Sequence, residues 1–499
     1  MRTGILPGET QPMNSLAVLA ALLSAHLALA QSGFETREVD AGLAYGPPII
    51  REDFERCQPA DAIVLDERKP DTWLLRTKDW PTRLLNAMGN PPDLTYDPQL
   101  TGVYDIYVGT RATHFPVSMG LRLASETAFT IVTSPRATEA VHTDWEFCLR
   151  RAVKLDGEQI IIHATGDSAY LDYFKFVPII AGKVTVRAAT DHVVIAAEPG
   201  KHFAFPGVAK LKDGTLAVVF RDGVHHVDPS GKVSLCRSTD GGRTWTPREV
   251  IFDDPAVDER DPGILQHSGG TLIVSFHSNG AMTMRSTDGG HTWDAPTPAP
   301  VFSPHGPGEM PDGRIYWCGI ATERGMNHVK IAVSEDLGKT WQILSTIAES
   351  LPFHQPWVSE FWDEPHALPL DAKHWLCHYR VDMNGFLYQG ESEDGGLTFT
   401  LPHRTDIWGH PFYILKLADG RLLTLYGYRR APWGIRACIS ADQGQTWDLA
   451  NELVLRHDGG HVDLGYPVGI ELEPGLVLAV YYTNHGGGDC SIEGTFFRP

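Results

Sequence analysis

At 499 residues the chain is longer than one hydrophobic core usually supports, so about two to three domains are expected. Its 49 Gly, 35 Pro and 13 Trp, with only 21% charged residues, exclude a disordered or coiled-coil protein and favour a turn-rich, all-β one. A net charge of -20 repels phosphate backbones and anionic membrane surfaces, which excludes nucleic acid as the main partner.

The first element along the chain is an address signal. Leu16 to Ala30 is an apolar run closed by Ala28-Leu29-Ala30, a small-x-small cleavage pattern, so residues 1–30 read as a signal peptide and Gln31 as the mature start. A secreted or periplasmic protein follows. The run is short of the roughly twenty apolar residues that a spanning helix needs, and no other segment reaches that length, so no membrane span is expected in the mature chain. Residues 31–198 carry period-two runs such as GVYDIYVGTR (102 to 111) and AYLDYFKFVPII (169 to 180), which predict a β-sandwich, a candidate carbohydrate-binding module. The seven cysteines show no metal-ligand spacing; most are expected as buried apolar residues, with Cys57 and Cys148 a candidate bridge in an oxidising compartment.

From residue 199 to 499 a nonapeptide recurs five times: RSTDGGRTW, RSTDGGHTW, VSEDLGKTW, ESEDGGLTF and ISADQGQTW. Its aspartates, Asp240, Asp288, Asp336, Asp394 and Asp442, are 48, 48, 58 and 48 residues apart, a propeller-blade period. Each box combines a tight Asp/Gly turn, hydroxyls that satisfy its backbone and an aromatic residue to bury. Six further turns interleave: Asp213-Gly214, Gly269-Gly270, Asp312-Gly313, Ala372-Lys373, Asp419-Gly420 and Pro474-Gly475. Six four-stranded blades are predicted, the sixth without a box.

Aligning the blades places a proline near the start of each innermost strand. The residues before it are Phe205, Asp261, Gly306, Glu364, His410 and Tyr466, with Arg260 and His305 adjacent. Inner strands begin around one axial mouth, so these side chains are expected to converge. The ends of the second strands add Arg221, His277, Arg380 and Tyr482, with Arg429 and Arg430 just beyond. Arginine forks suit carboxylates and aromatic faces suit sugar rings, which points to an acidic glycan or oligosaccharide as the partner. His225, His226, His277 and His305 show no recognised ligand spacing, so no metal or cofactor is expected.

On these residues, roughly 200 to 499 resembles the sialidase (neuraminidase) superfamily, which implies a six-bladed sialidase-like β-propeller. Glu364-Pro365 followed sixteen residues later by Arg380 resembles the family's glutamate and carboxylate-binding arginine, and Arg429 or Arg430 its third arginine. Tyr466 in DLGYP then corresponds to the nucleophilic tyrosine, with Glu364 as its base. The resemblance implies an exo-acting, retaining glycoside hydrolase that removes a terminal acidic sugar. It departs from the family in Phe203-Ala204-Phe205-Pro206, where Ala204 stands in place of the first carboxylate-binding arginine, so either Arg221, Arg260 or another residue compensates or the substrate is not a sialic acid. The acid/base aspartate is left open between Asp222, Asp228 and Asp261. Two other classes stay in view: a lyase on uronic-acid chains, with Tyr466 or His410 abstracting a proton, and a glycan-binding propeller without catalysis.

Overall fold

The computed structural model describes residues 33–40, 44–46, 48–77, 84–111, 118–133, 144–164, 169–180, 183–323, 326–349, 362–381 and 385–499. The apolar run expected as a signal peptide lies outside them. Among the described residues no helix is long and apolar enough to cross a membrane, and the helical elements are three short 3-10 turns.

Six antiparallel blades form the C-terminal part. The first comprises His202–Lys210, Leu216–Gly223, Lys232–Ser238 and Glu249–Phe252. The second starts at Arg260–Gln266, the third at Gly308–Glu309, the fourth at Asp363–Pro369 and the fifth at Phe412–Lys416. In each, the predicted turn joins the first two strands and an Asp box follows the third.

The sixth blade takes three strands from the chain's end, Gly465–Glu473, Leu476–Asn484 and Cys490–Phe497. Its outer strand is Asp191–Ala196, which pairs antiparallel with Cys490–Phe497 from Asp191↔Phe496 to Ala196↔Ile492. The division expected at residue 198 is corrected accordingly, because that strand completes the propeller. The ring closes where His202 of blade one forms a parallel bridge with Cys490 of blade six. Two further strands from ahead of the ring, Lys183–Ala189 and Phe34–Asp40, extend the outer edge of blade five.

The Asp boxes repeat one set of bonds. In blade two, Asp288 Oδ1 accepts from the Thr292 and His291 N–H groups, while Oδ2 accepts from the Thr292 hydroxyl at 2.6 Å. Ser286 Oγ accepts from Gly290 N at 2.8 Å. Trp293 then lies against the blade and donates to Gly290 O. Every box aspartate sits where hydroxyl and N–H donors favour its charge, so the boxes are turn locks on the blades and carry no chemistry of their own.

The N-terminal residues form stacked sheets around one core of Phe54, Trp73, Tyr96, Ile106, Ile160 and Phe174, all fully buried. It is the predicted β-sandwich. One sheet runs Asp144–Asp156, Thr101–Arg111, Tyr173–Ile180; the facing one includes Ser118–Leu123 and Ile160–Ala164. Ile50 and Tyr173 from this part pack into the core of blades three and four. The candidate Cys57–Cys148 bridge is corrected: both thiols are free, Cys57 inside the sandwich core and Cys148 donating to Arg150 O.

The carboxyls of Asp240, Asp288, Asp336, Asp394 and Asp442 are all held below the ordinary 3.8, Asp394 at about 2. A depressed folded-state pKa gives stability that is present above the unfolded value and lost as pH falls through the folded one. Thermal unfolding followed by circular dichroism is therefore expected to show a steep loss of midpoint as pH falls below about 4, and replacing Asp394 by Asn is expected to flatten that acid limb.

Candidate active site

The site begins with a backbone irregularity. Strand register jumps from Ala204 to Gly207, Arg260 to Gly263, Asp363 to His366 and Gly465 to Val468. The skipped pairs are Phe205-Pro206, Asp261-Pro262, Glu364-Pro365 and Tyr466-Pro467. Proline has no N–H for the ladder, so a bulge there wastes no bond and re-aims the residue before it. Phe205, Asp261, Glu364 and Tyr466 accordingly hold φ of 55°, 50°, 38° and 49°. A side chain ahead of proline disfavours this conformation, at a cost on the order of 1–3 kcal/mol each, so neighbouring blades must hold it.

The bulged side chains meet. Tyr466 donates its hydroxyl to Glu364 Oε1, and Arg380 Nη1 donates to Glu364 Oε2. The same Nη1 lies 3.2 Å from the Tyr466 hydroxyl, so phenol, carboxylate and guanidinium form a closed triangle. Burial pushes the Tyr466 phenol well above its usual range; Glu364 and Asp261 add to this, while Arg380 and Arg429 oppose it. The Arg429 guanidinium stands 5.6 Å over the Tyr466 ring and is tied to Leu464 O. Phe205 meets Tyr466 edge-on, with centroids 4.6 Å apart.

Asp261 is buried beside this group, and its Oδ1 has no hydrogen-bond partner. Burial pushes its carboxyl up to about 6; Arg260 pulls it down and Glu364 pushes it further up. Arg260 lies 3.7 Å from Asp261 Oδ2 and stacks 5.1 Å over the Phe205 ring. His410 has a buried, unpartnered Nδ1; burial and the nearby Arg380, Arg429 and Arg430 hold its pKa well below 6.5.

Other residues read from the sequence lie elsewhere. Arg221 is fully buried, with Nε on Asp258 at 2.7 Å, Nη1 on His225 O and Nη2 on Asp228 O, so it braces a loop and offers no nitrogen to a substrate. Asp228 is the loop's turn residue. Its carboxylate accepts from His225 N and Ser230 N, and although partial burial works to raise its pKa, these bonds and Arg221 hold it well below 3.8. A group so readily ionised is a poor proton donor. Asp222 is buried on Arg248 and Lys201. Tyr482 is fully buried with its hydroxyl on Asp463, and backs Phe205 and Tyr466 instead of lining the cavity. Arg430 turns away to donate to Gly46 O of the sandwich and stacks 3.5 Å over Trp408, leaving Arg429 as the arginine beside Tyr466. His305 packs against His366 and Tyr413 with both ring nitrogens buried and unpartnered, and burial lowers its pKa to about 3.

Asp463 was not legible in the sequence. It receives His202, His226 and Tyr482, and these bonds overcome its burial to hold its carboxyl well below the usual range. No motif signals it, since its partners lie 261 and 237 residues away along the chain.

Fold and site define an Asp-box propeller with a tyrosine, two acids and arginines at its axial mouth. The family model for the BNR repeat-like domain matches residues 207–362 and 273–478, together more than half of the chain, which therefore belongs to that family. A protein of unknown function from Dyadobacter fermentans is 30% identical, with a TM-score of 0.56 over 62% of this chain and 98% of that one. A Hadza microbial sialidase is 16% identical, with a TM-score of 0.50 over 81% of this chain and 95% of its own. The NanB sialidase of Streptococcus pneumoniae is 10% identical, also with a TM-score of 0.50, over 81% and 97%. The two sialidases show the fold that this chain shares, a sialidase-type propeller. No curated protein matches the chain.

Asp261 titrates near 3.8 when unfolded and near 6 in the fold, so the native state holds its proton more tightly. Stability then falls as pH rises from about 4 to about 6, and the full penalty stands above that. Asp261→Asn is expected to raise the melting temperature at pH 8 and to leave it nearly unchanged at pH 4, as read by differential scanning calorimetry.

Proposed function

We propose that the protein is an exo-acting glycoside hydrolase of the sialidase type, which removes a terminal acidic sugar from a glycan with retention of configuration. The observation that carries this reading is the Tyr466–Glu364–Arg380 triangle. A phenol is a weak nucleophile until a carboxylate takes its proton, and Glu364 already accepts that hydrogen bond. A neutral hydroxyl also approaches an anionic sugar without charge repulsion. Arg380 and Arg429 flank the phenol, and Arg260 supplies a third guanidinium over Phe205, the residue next to Ala204. Guanidinium forks at this spot suit a sugar carboxylate.

Asp261 is the proposed acid. Its carboxyl, pushed up to about 6, keeps a proton in mildly acidic solution, and its Oδ1 is unspent. In the first step the Tyr466 oxygen bonds to the anomeric carbon, the glycosidic bond breaks and Asp261 protonates the leaving oxygen, while the phenolic proton passes to Glu364. In the second, water gives its proton to Asp261 and attacks the anomeric carbon, and Tyr466 leaves, regaining its proton from Glu364. The N-terminal sandwich then serves as an accessory glycan module, and residues 1–30 direct export.

A second reading, eliminative cleavage of a uronic-acid chain, is favoured by one feature. The unpartnered Nδ1 of His410, kept neutral among arginines, is a base beside carboxylate-binding groups. The two readings give different products. Incubation with sialylated glycans and uronate polysaccharides, followed by mass spectrometry, is expected to release a saturated acidic monosaccharide, at a rate that declines as pH rises through about 6. Asp261→Asn is expected to lose about 10²–10⁴-fold in rate, and Tyr466→Phe to lose turnover while still folding. Full activity of Tyr466→Phe overturns the nucleophile assignment, and products absorbing in the ultraviolet establish elimination instead.

A further inference from the structure

We infer that His202, His226 and Asp463 form a binding site for one divalent transition-metal cation of the zinc class, at the seam where blade six meets blade one. His202 Nε2 lies 2.8 Å from Asp463 Oδ2, and His226 Nδ1 lies 2.9 Å from Asp463 Oδ1. The three donor atoms fall within 4.8 Å of one another. Zinc bonds of about 2.0–2.1 Å at tetrahedral angles place donors about 3.3 Å apart, so the two His–Asp separations must open by about half an ångström and the two imidazole nitrogens close by up to about 1.5 Å to seat the ion. Two imidazoles and one carboxylate are a common zinc set that leaves a fourth position open for water.

The carboxylate and the loops of the cluster are supported from outside, while His202 Nδ1 is buried without a hydrogen-bond partner. Tyr482 donates to Asp463 Oδ1 at 2.8 Å and fixes the carboxylate. Buried Asn484 donates to Asp463 O at 2.6 Å, and its own Oδ1 accepts from Gly460 N and His461 N, which pins the loop ahead of blade six. Arg260 Nη1 donates to His226 O at 3.2 Å. Such outer partners orient ligands and are part of how metal sites are built. His202 is buried at 3% exposure, whereas the His226 side chain is 45% exposed, so the cluster has a buried anchor and an open side through which an ion enters.

The three ligands come from three parts of the ring: the first strand of blade one, the loop after its second strand and the approach to blade six. A cation here cross-links the closure beside the backbone bridge His202↔Cys490. Binding therefore stabilises the native propeller by mass action, whether or not the glycosidase reading holds.

The test uses the full-length mature chain stripped with EDTA, titrated with Zn2+ by calorimetry and melted with and without the metal. One Zn2+ per chain is expected, with the melting temperature rising by about 3 °C or more at a hundredfold excess over Kd. His226→Ala, at an exposed position, is expected to weaken binding at least tenfold and remove the shift, whereas His225→Ala retains both. Absence of binding by the wild-type chain, or wild-type binding by both His226→Ala and His226→Gln, overturns the site.

Discussion

A proline near the start of an inner strand gives the ladder no N–H, and the strand answers with a bulge. Everything at the axial mouth depends on that displacement. It takes Phe205, Asp261, Glu364 and Tyr466 out of the regular strand alternation and turns them toward one another. Blade three uses the same left-handed turn at Gly306, with no side chain to present, and so leaves room for the others. The unfavourable φ at the four larger residues is held by contacts across the ring: Tyr466 against Phe205, Tyr466 on Glu364, Arg260 over Phe205. Strain and function therefore share residues, because the bonds that hold the conformation are those that define the site.

The charge distribution follows from the same geometry. A chain of net charge -20 keeps Arg260, Arg380 and Arg429 around one tyrosine, with Glu364 and Asp261 as the acids among them. The two carboxyls differ because their partners differ. Glu364 spends both oxygens on Tyr466 and Arg380, whereas Asp261 is buried with one oxygen unspent and is pushed up to about 6.

Much of this was legible in the sequence, since it is written in local and periodic signals. Five Asp boxes and six turns give the blades, and the proline of each inner strand marks the residue that faces the axis. What escaped depends on depth and on contacts remote in sequence. Arg221 and Tyr482 occupy strand ends that suggested cavity lining, yet the 224–230 loop covers Arg221 and Asp463 takes the Tyr482 hydroxyl. Asp228 looked like a loop acid, but its turn uses both oxygens. Arg430 differs from Arg429 by one position and faces the sandwich, a contact with residue 46 that no repeat alignment contains. The strand Asp191–Ala196 pairs with the far end of the chain, so its composition alone could not separate it from the sandwich.

The absent guanidinium at Ala204 bears most directly on what the mouth accepts. Ala204 is fully buried and paired opposite Arg221, in a layer that the arginine already fills. A second long cation there would meet the first one in a closed core, so alanine is the residue this packing calls for. The positive charge enters from the neighbouring blade instead, through Arg260 stacked on Phe205. Phe205 is itself buried beneath that guanidinium and against Tyr466, so its ring serves as the support that sets where the charge lies. Under the proposed glycosidase reading, selectivity among acidic sugars rests on the Arg260–Phe205 pair, while the chemistry rests on Tyr466, Glu364 and Asp261.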